Sequence, residues 1–311
     1  MRYFLTHIVQ MPLAVSVILI AGALTLWVPD YVAAPADWLA LSATQLLVLL
    51  SGSLLAELLY RARAMAHRSA VPLLLYILSC ALLSEIRTTW QPQVLVLTAV
   101  LVLLIMQAVG DHDEPLEMAF LTTLLVCLTS LIVRDALWLM PFVWVVPIVQ
   151  RQFTIRVFTA SLLGVGLFLL YFMVISYVTL LPESLKPILV AYFQPLTERY
   201  ALFEHGLHSL FPWVIISYMV ALIIFVIATL MRSSHDYVQT RNLTYQLILL
   251  YVMILPFALF LVPDVGILAL LPWILSAMAS IYLFQKESVS RGVTLLVYIA
   301  VCAILYTAAC I

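Results

Sequence analysis

The sequence predicts an all-α fold, a polytopic bundle of transmembrane helices. Three observations carry this. Hydrophobic residues make up 66% of the 311 positions and charged residues only 9%, with a mean hydropathy of +1.17. A soluble domain of this length needs far more polar surface to cover its core. The apolar residues come in long blocks separated by short polar loops, and basic residues fall mainly on every second loop. In hydrocarbon the backbone's polar groups must be satisfied within each segment, so the blocks read as helices. A β-barrel would show short alternating segments instead.

A helical span takes roughly 20 apolar residues to cross about 30 Å of hydrocarbon. On that criterion the blocks give about eleven spans, near 8–28, 38–59, 70–86, 92–109, 117–133, 136–150, 157–181, 210–231, 243–262, 266–285 and 292–311. The first follows Met1-Arg2 and resembles a signal-peptide start. Ala33-Ala34-Pro35 is a poor cleavage site, so the block is expected to stay as the first helix. In the second span Gly52 and Ala56 form a small-xxx-small pair suited to helix packing, as do Ala160 and Gly164 in the seventh. The second span ends on Glu57 and Arg61, in the favourable order for an i,i+4 ion pair. With Arg63 and Arg68 they read as an anchor at anionic lipid headgroups. The fifth and sixth spans are short, separated by Arg134-Asp135, and either could be re-entrant. Pro141 and Pro147 are expected to bend the sixth, and Pro256 and Pro272 the ninth and tenth.

Between spans seven and eight lies the one sizeable polar segment, 182–209. Pro187 and Pro195 divide it, and it mixes aromatic and aliphatic residues with Glu183, Lys186, Glu198, Arg199 and Glu204. It reads as an amphipathic segment lying in the outer interface. No Pro/Gly/Ser linker, charge block or repeat interrupts the chain, so residues 1–311 are expected to form a single integral membrane domain.

If loops alternate from an amino terminus on side one, the 14 basic residues divide unevenly. Arg2, Arg61, Arg63, Arg68, Arg151, Arg156, Arg232, Arg241, Lys286 and Arg291 lie on side one; Arg87, Arg134, Lys186 and Arg199 lie on side two. The positive-inside rule makes side one cytoplasmic and puts the carboxyl terminus outside. Trp27, Trp38, Trp90, Trp138 and Trp213 fall at outer span ends, where indoles favour the interface. Trp144 and Trp273 fall within spans, where packing between helices is expected.

The net charge of −1 excludes a basic nucleic-acid surface. Cys80, Cys127, Cys302 and Cys310 lie in or beside apolar spans with no CxxC pair, and read as small buried hydrophobes. Asp111-His112-Asp113-Glu114 offers metal-compatible ligand types, but adjacent loop residues rarely face one ion, so no metal and no cofactor is expected. No Walker, GxSxG, HExxH or CxxCH motif occurs. Away from span ends Gln45 and Gln107 carry amides and no charge lies near a midplane, which argues against an ion-coupled transporter.

What remains is a set of charges at the outer ends: Asp30, Glu85, Arg87, Arg134 and Asp135. Glu85 and Arg134 lie so near the hydrocarbon that leaving them unpaired would be costly. They read either as ordinary charged helix ends or as an outward polar cleft for an anionic headgroup. In the second case Arg87 and Arg134 could hold a phosphate and Asp30 or Glu85 could act as general base.

From Pro72 the central segment runs PLLLYILSCALLSEIRTTWQPQVLVLTAVLVLLIMQAVGDHDEPLEMAFLTTLLVCLTSLIVRDALWLMPFVWVVPIVQRQFTIR. Its order of helices, outer Pro-containing loop, small-residue helix, aromatic-rich short helix and basic turn resembles an uncharacterised multi-pass inner-membrane protein family of Gram-negative bacteria. The stretch NLTYQLILLYVMILPFALFLVPDVGILALLPWILSAMASIYL is similar to that family's carboxyl-terminal half. The same central order resembles the membrane core of type C glycosyltransferases. Those enzymes use polyprenyl-phosphate sugars and place a catalytic acid in the first outer loop, a position that Asp30 matches here. The sequence departs from that pattern in its short first loop, PDYVAAPAD, and in lacking a soluble periplasmic domain. The resemblance implies a bacterial inner-membrane protein of envelope biogenesis, with membrane lipids and a polyprenyl-phosphate-linked substrate as partners. The alternative is a non-catalytic membrane subunit that packs against other membrane protein subunits.

Overall fold

The computed structural model describes residues 21, 24–33, 37–65, 68–108, 115–150, 152–178, 210–231, 237–260, 266–284 and 298. The expected spans 8–28 and 292–311 fall largely outside these residues. So do the segment 182–209, the loop Asp111 to Glu114, Cys302 and Cys310.

The described residues form eleven α-helices and three 3-10 turns, with no strand among them. The helices are α1 (Val28–Ala33), α2 (Trp38–Arg61), α3 (Val71–Ala81), α4 (Ser84–Thr88), α5 (Gln91–Ala108), α6 (Pro115–Ser130), α7 (Met140–Val149), α8 (Ile155–Val178), α9 (Leu210–Leu230), α10 (Val238–Phe260) and α11 (Leu270–Phe284). The 3-10 turns at Thr25–Trp27, Arg134–Leu139 and Ile267–Ala269 lead into α1, α7 and α11. Five helices carry a proline in their first or second position: Pro29, Pro72, Pro92, Pro115 and Pro141. Proline is favoured there because its missing N–H has no partner to lose. Pro141 therefore opens α7 instead of bending it, while Pro147 and Pro256 do lie inside helices.

Three described segments are long and apolar enough to cross a membrane: Trp38–Arg61, Ile155–Val174 and Ile267–Phe284. Five shorter apolar ones accompany them: Val71–Ala81, Gln91–Gln107, Pro115–Ser130, Asp135–Ile148 and Val214–Leu230. The expectation that 70–86 crosses as one continuous helix is not met. Its α3 has 11 residues, about 16 Å at 1.5 Å per residue. Leu83 then turns extended, at φ −108° and ψ 96°, before α4 begins. The segment 136–150 is likewise divided into a 3-10 turn and the 10-residue α7.

Two hydroxyl and amide contacts fix which ends meet. Thr240 Oγ1 donates to the Ala62 carbonyl at 2.8 Å, joining the end of α2 to the start of α10. Gln107 Nε2 donates to Gln246 Oε1 at 3.0 Å, bringing the end of α5 to that same region. Val157 of α8 borders a small cavity with Pro115 and Met118 of α6, so those two helices begin at one end and run the same way. The opposite end gathers α1, α4, the start of α5 and the turn 134–139 after α6.

Burial divides the helices sharply. Every residue from Leu270 to Ile281 of α11 is buried, Trp273 among them. A helix apolar all round and covered all round is a core helix. In contrast α8 leaves Leu163, Leu170, Tyr171 and Met173 exposed. Apolar surface of that extent is suited to lipid and not to water. Hydroxyl pairs cross between helices, Thr98 with Thr129 at 2.8 Å and Thr123 with Ser161 at 2.7 Å. Such bonds hold helices together where no hydrophobic gradient does. The two expected small-residue contacts are packing sites: Gly52 lies against Leu73 and Tyr76, and Gly164 against the Phe120 carbonyl and Thr123. Trp144, as expected, is packed between helices, donating to Ser161 Oγ at 2.8 Å.

At the end of α2 the chain closes in a Schellman motif. Ala64 N–H donates to the Leu59 carbonyl at 3.0 Å and Arg63 N–H to the Tyr60 carbonyl at 3.0 Å. Arg63 occupies the left-handed position of that motif with φ 55°. Glycine usually stands there, because a Cβ costs about 1–2 kcal/mol in this conformation.

Candidate functional site

Of the five charges expected at the outer ends, Asp30, Arg87 and Asp135 have described side chains. The backbones of Glu85, in α4, and Arg134, opening the 134–139 turn, lie at the same end of the bundle. The side chains of Glu85 and Arg134 fall outside the described set.

Arg87 and Asp30 form one node. The guanidinium meets the carboxylate side-on, Nε to Oδ2 at 2.6 Å and Nη2 donating to Oδ1 at 2.8 Å. Arginine's planar fork suits this two-point geometry. The local chain explains the placement. The extended Leu83 ends α3 and aims α4 back across it. From there Arg87 Nη1 donates to the Ala81 carbonyl at 3.2 Å, one of the acceptors left open where a helix ends. Trp27 Nε1 donates to the Arg87 carbonyl at 3.2 Å, and Tyr31 Oη donates to Gln45 Oε1 at 3.1 Å. Three residues of the first outer segment thus pin α1 against α4 and α2. Both charged side chains are largely covered, with 9% of Arg87 and 12% of Asp30 exposed.

Burial pushes the Asp30 carboxyl up from its ordinary value, and the attraction of the Arg87 guanidinium and its hydrogen bond pull it back, with burial the larger influence. A carboxyl that titrates higher in the fold than in the unfolded chain contributes stability fully below the unfolded value. It loses that contribution as pH rises through the folded one. Thermal unfolding of the wild type and Asp30→Asn between about pH 3 and about pH 7 checks the sign. The wild type's advantage should shrink with rising pH, and an advantage that grows would show the ion pair outweighing burial.

Asp135 forms the second node. It is 2% exposed in the 134–139 turn, and its carboxylate lies against Gly266, which opens the helical run into α11. A Cβ at Gly266 would stand 2.9 Å from Asp135 Oδ2 and 3.5 Å from Val133 Cγ1, so a larger residue there would push the carboxylate aside. A carboxylate at the amino end of a helix is favoured by the peptide dipoles.

The structure therefore changes how two expected residues read. Arg87 does not present an open fork to an incoming phosphate, because Asp30 and the Ala81 carbonyl already occupy it. Asp30 is the counter-ion of that arginine and not a solvent-facing base. Trp27, expected as a wet interfacial indole, is fully buried beneath the pair, whereas Trp38 and Trp90 are exposed as expected. Gly266 and Tyr31 were not legible as site residues, since neither carries a charge or a motif. The i,i+4 pair at the other end is present, with Glu57 Oε1 at 3.0 Å from Arg61 Nε. Among the described residues no group of three or more potential ligands is placed to hold a metal ion.

No protein-family model, curated protein or solved structure matches this chain.

Proposed function

We propose that this chain is a multi-pass protein of the bacterial inner membrane that works in envelope biogenesis. In this reading it holds an anionic, lipid-linked headgroup at its periplasmic end. The proposed topology has about eleven spans, a cytoplasmic amino terminus, a periplasmic carboxyl terminus and an interfacial segment at 182–209. The observation that carries the reading is the gathering of covered charges, Asp30, Arg87 and Asp135, at one end of an otherwise apolar bundle. Such charges at a membrane boundary are expensive and mark functional positions by default.

The chemistry at this end is an exchange. A headgroup phosphate entering the pair would take the place of the Asp30 carboxylate on Arg87, one anion for another, with Arg134 as a second cation. A glycosyltransferase-type step with Asp30 as general base requires that same exchange first, since Arg87 occupies both carboxylate oxygens. The test is native mass spectrometry of the purified protein with a polyprenyl phosphate added. The reading expects Arg134→Ala to lower retention of the lipid about tenfold, as loss of a charge-assisted contact does. Unchanged retention in Arg134→Ala and in Arg87→Lys would remove the headgroup reading.

The second reading, a non-catalytic subunit of a larger membrane assembly, is favoured by α8. Only 17% of its most apolar window is covered within the chain. A stoichiometric partner recovered from native membranes, with no phenotype for Asp30→Asn, would favour it.

A further inference from the structure

At the end opposite the Asp30–Arg87 pair, the close of α2 and the start of α10 bring three arginines together, Arg61, Arg63 and Arg68. We infer that this junction is a binding site for a phosphate-bearing anionic headgroup, separate from the proposed site at the other end and independent of it.

The arginines are held in place. Glu57 receives Arg61 Nε at 3.0 Å and Arg68 Nη2 at 3.3 Å, so one carboxylate orients two guanidinium groups that are themselves 56% and 73% exposed. The Arg68 guanidinium sits over the Tyr60 ring at 5.1 Å, and that of Arg63 over the Tyr237 ring at 6.0 Å. Cation–π seats of this kind fix a guanidinium while leaving its N–H edge open to an acceptor. The buried Thr240 bond to the Ala62 carbonyl ties α10 to this turn and brings Tyr237 alongside Arg63. Glu57 is the one carboxylate that bonds any of these arginines among the described residues.

The decisive observation is the backbone of Arg63. It stands where a Schellman motif favours glycine, at φ 55°, with both hydrogen bonds of the motif made. A strained residue kept in a well-formed motif points from outlier to function. Glycine would serve the backbone better, and what an arginine adds at this position is the guanidinium seated over Tyr237. A cluster of exposed arginines directly beside apolar helices recognises the phosphate of an anionic lipid, or the same group on a soluble ester.

The variant Arg63→Gly separates the two roles, because it relieves the backbone while removing the charge. Full-length protein in detergent is titrated with phosphatidylglycerol, with phosphatidylcholine and with inorganic phosphate, and bound lipid and melting temperature are read. The wild type should retain phosphatidylglycerol over phosphatidylcholine. Arg63→Gly should melt no lower than wild type without lipid, yet bind phosphatidylglycerol about fivefold more weakly, as expected for one arginine near an anionic surface. Arg156→Ala, an exposed arginine at the start of α8 at the same end, should leave binding unchanged. If inorganic phosphate displaces the lipid, the site reads the phosphate alone and a soluble ester is its source. If it does not, the bilayer is the source. Equal binding of the two lipids, unaltered binding by Arg63→Gly, or an equal loss in Arg156→Ala would overturn the site.

Discussion

Arg87→Ala should cost the fold about 3–5 kcal/mol, which is the usual result of leaving a buried charge without its partner. The size follows from coverage. With 9% of Arg87 and 12% of Asp30 exposed, little solvent is available to screen the stranded carboxylate. The loss also opens the Ala81 carbonyl and loosens the short helix that holds the Trp27 bond. The double variant Asp30→Leu with Arg87→Met should recover most of this and lie within about 1 kcal/mol of wild type, since a buried ion pair often adds no net stability over apolar side chains. Reversible unfolding in mixed micelles measures both. A cost for Arg87→Ala below about 1 kcal/mol would mean that the pair is exposed to water or headgroups in the membrane. The same experiment bears on function: if the double variant folds but no longer retains polyprenyl phosphate, the pair is kept for binding.

The second large effect belongs to Trp273, in the covered helix α11. Trp273→Ala should cost about 3–5 kcal/mol, because the indole is fully buried and the surrounding helices cannot close the space it leaves. Trp273→Phe should cost under about 1.5 kcal/mol, and the reason is specific. The indole Nε1 is buried and meets no hydrogen-bond acceptor among the described residues. Phenylalanine therefore loses volume but also removes a donor whose burial is unfavourable. Trp27 makes the contrast: its Nε1 donates to Arg87, so Trp27→Phe removes a bond and strands a carbonyl. A Trp273→Phe cost as large as that of Trp273→Ala would show that the indole N–H has an acceptor after all.

Much of the architecture could be read along the chain. The apolar blocks are helices because hydrocarbon leaves the backbone no other partner. Five proline positions begin helices, and the Glu57–Arg61 pair forms, because both depend only on neighbours within one turn. The break after Ala81 was not readable. SCALLSEIR is uniformly compatible with a helix, and the turn at Leu83 is what places Arg87 within reach of both Ala81 and Asp30. Residue composition likewise grouped Asp30, Arg87 and Asp135 at one end, but it could not say which acid met which base.

The sequence alone determined that this is a helical, lipid-compatible chain with its few charges confined to the ends of its apolar segments, because those properties follow from composition and from local spacing. The tertiary structure alone decided that Asp30 closes on Arg87, 57 residues away, that Asp135 lies against Gly266, and that α11 rather than α8 is the core helix. These are choices of which helix lies beside which. Apolar helices that look alike to a sequence are told apart only by the shapes and hydrogen-bonding groups they bring into contact.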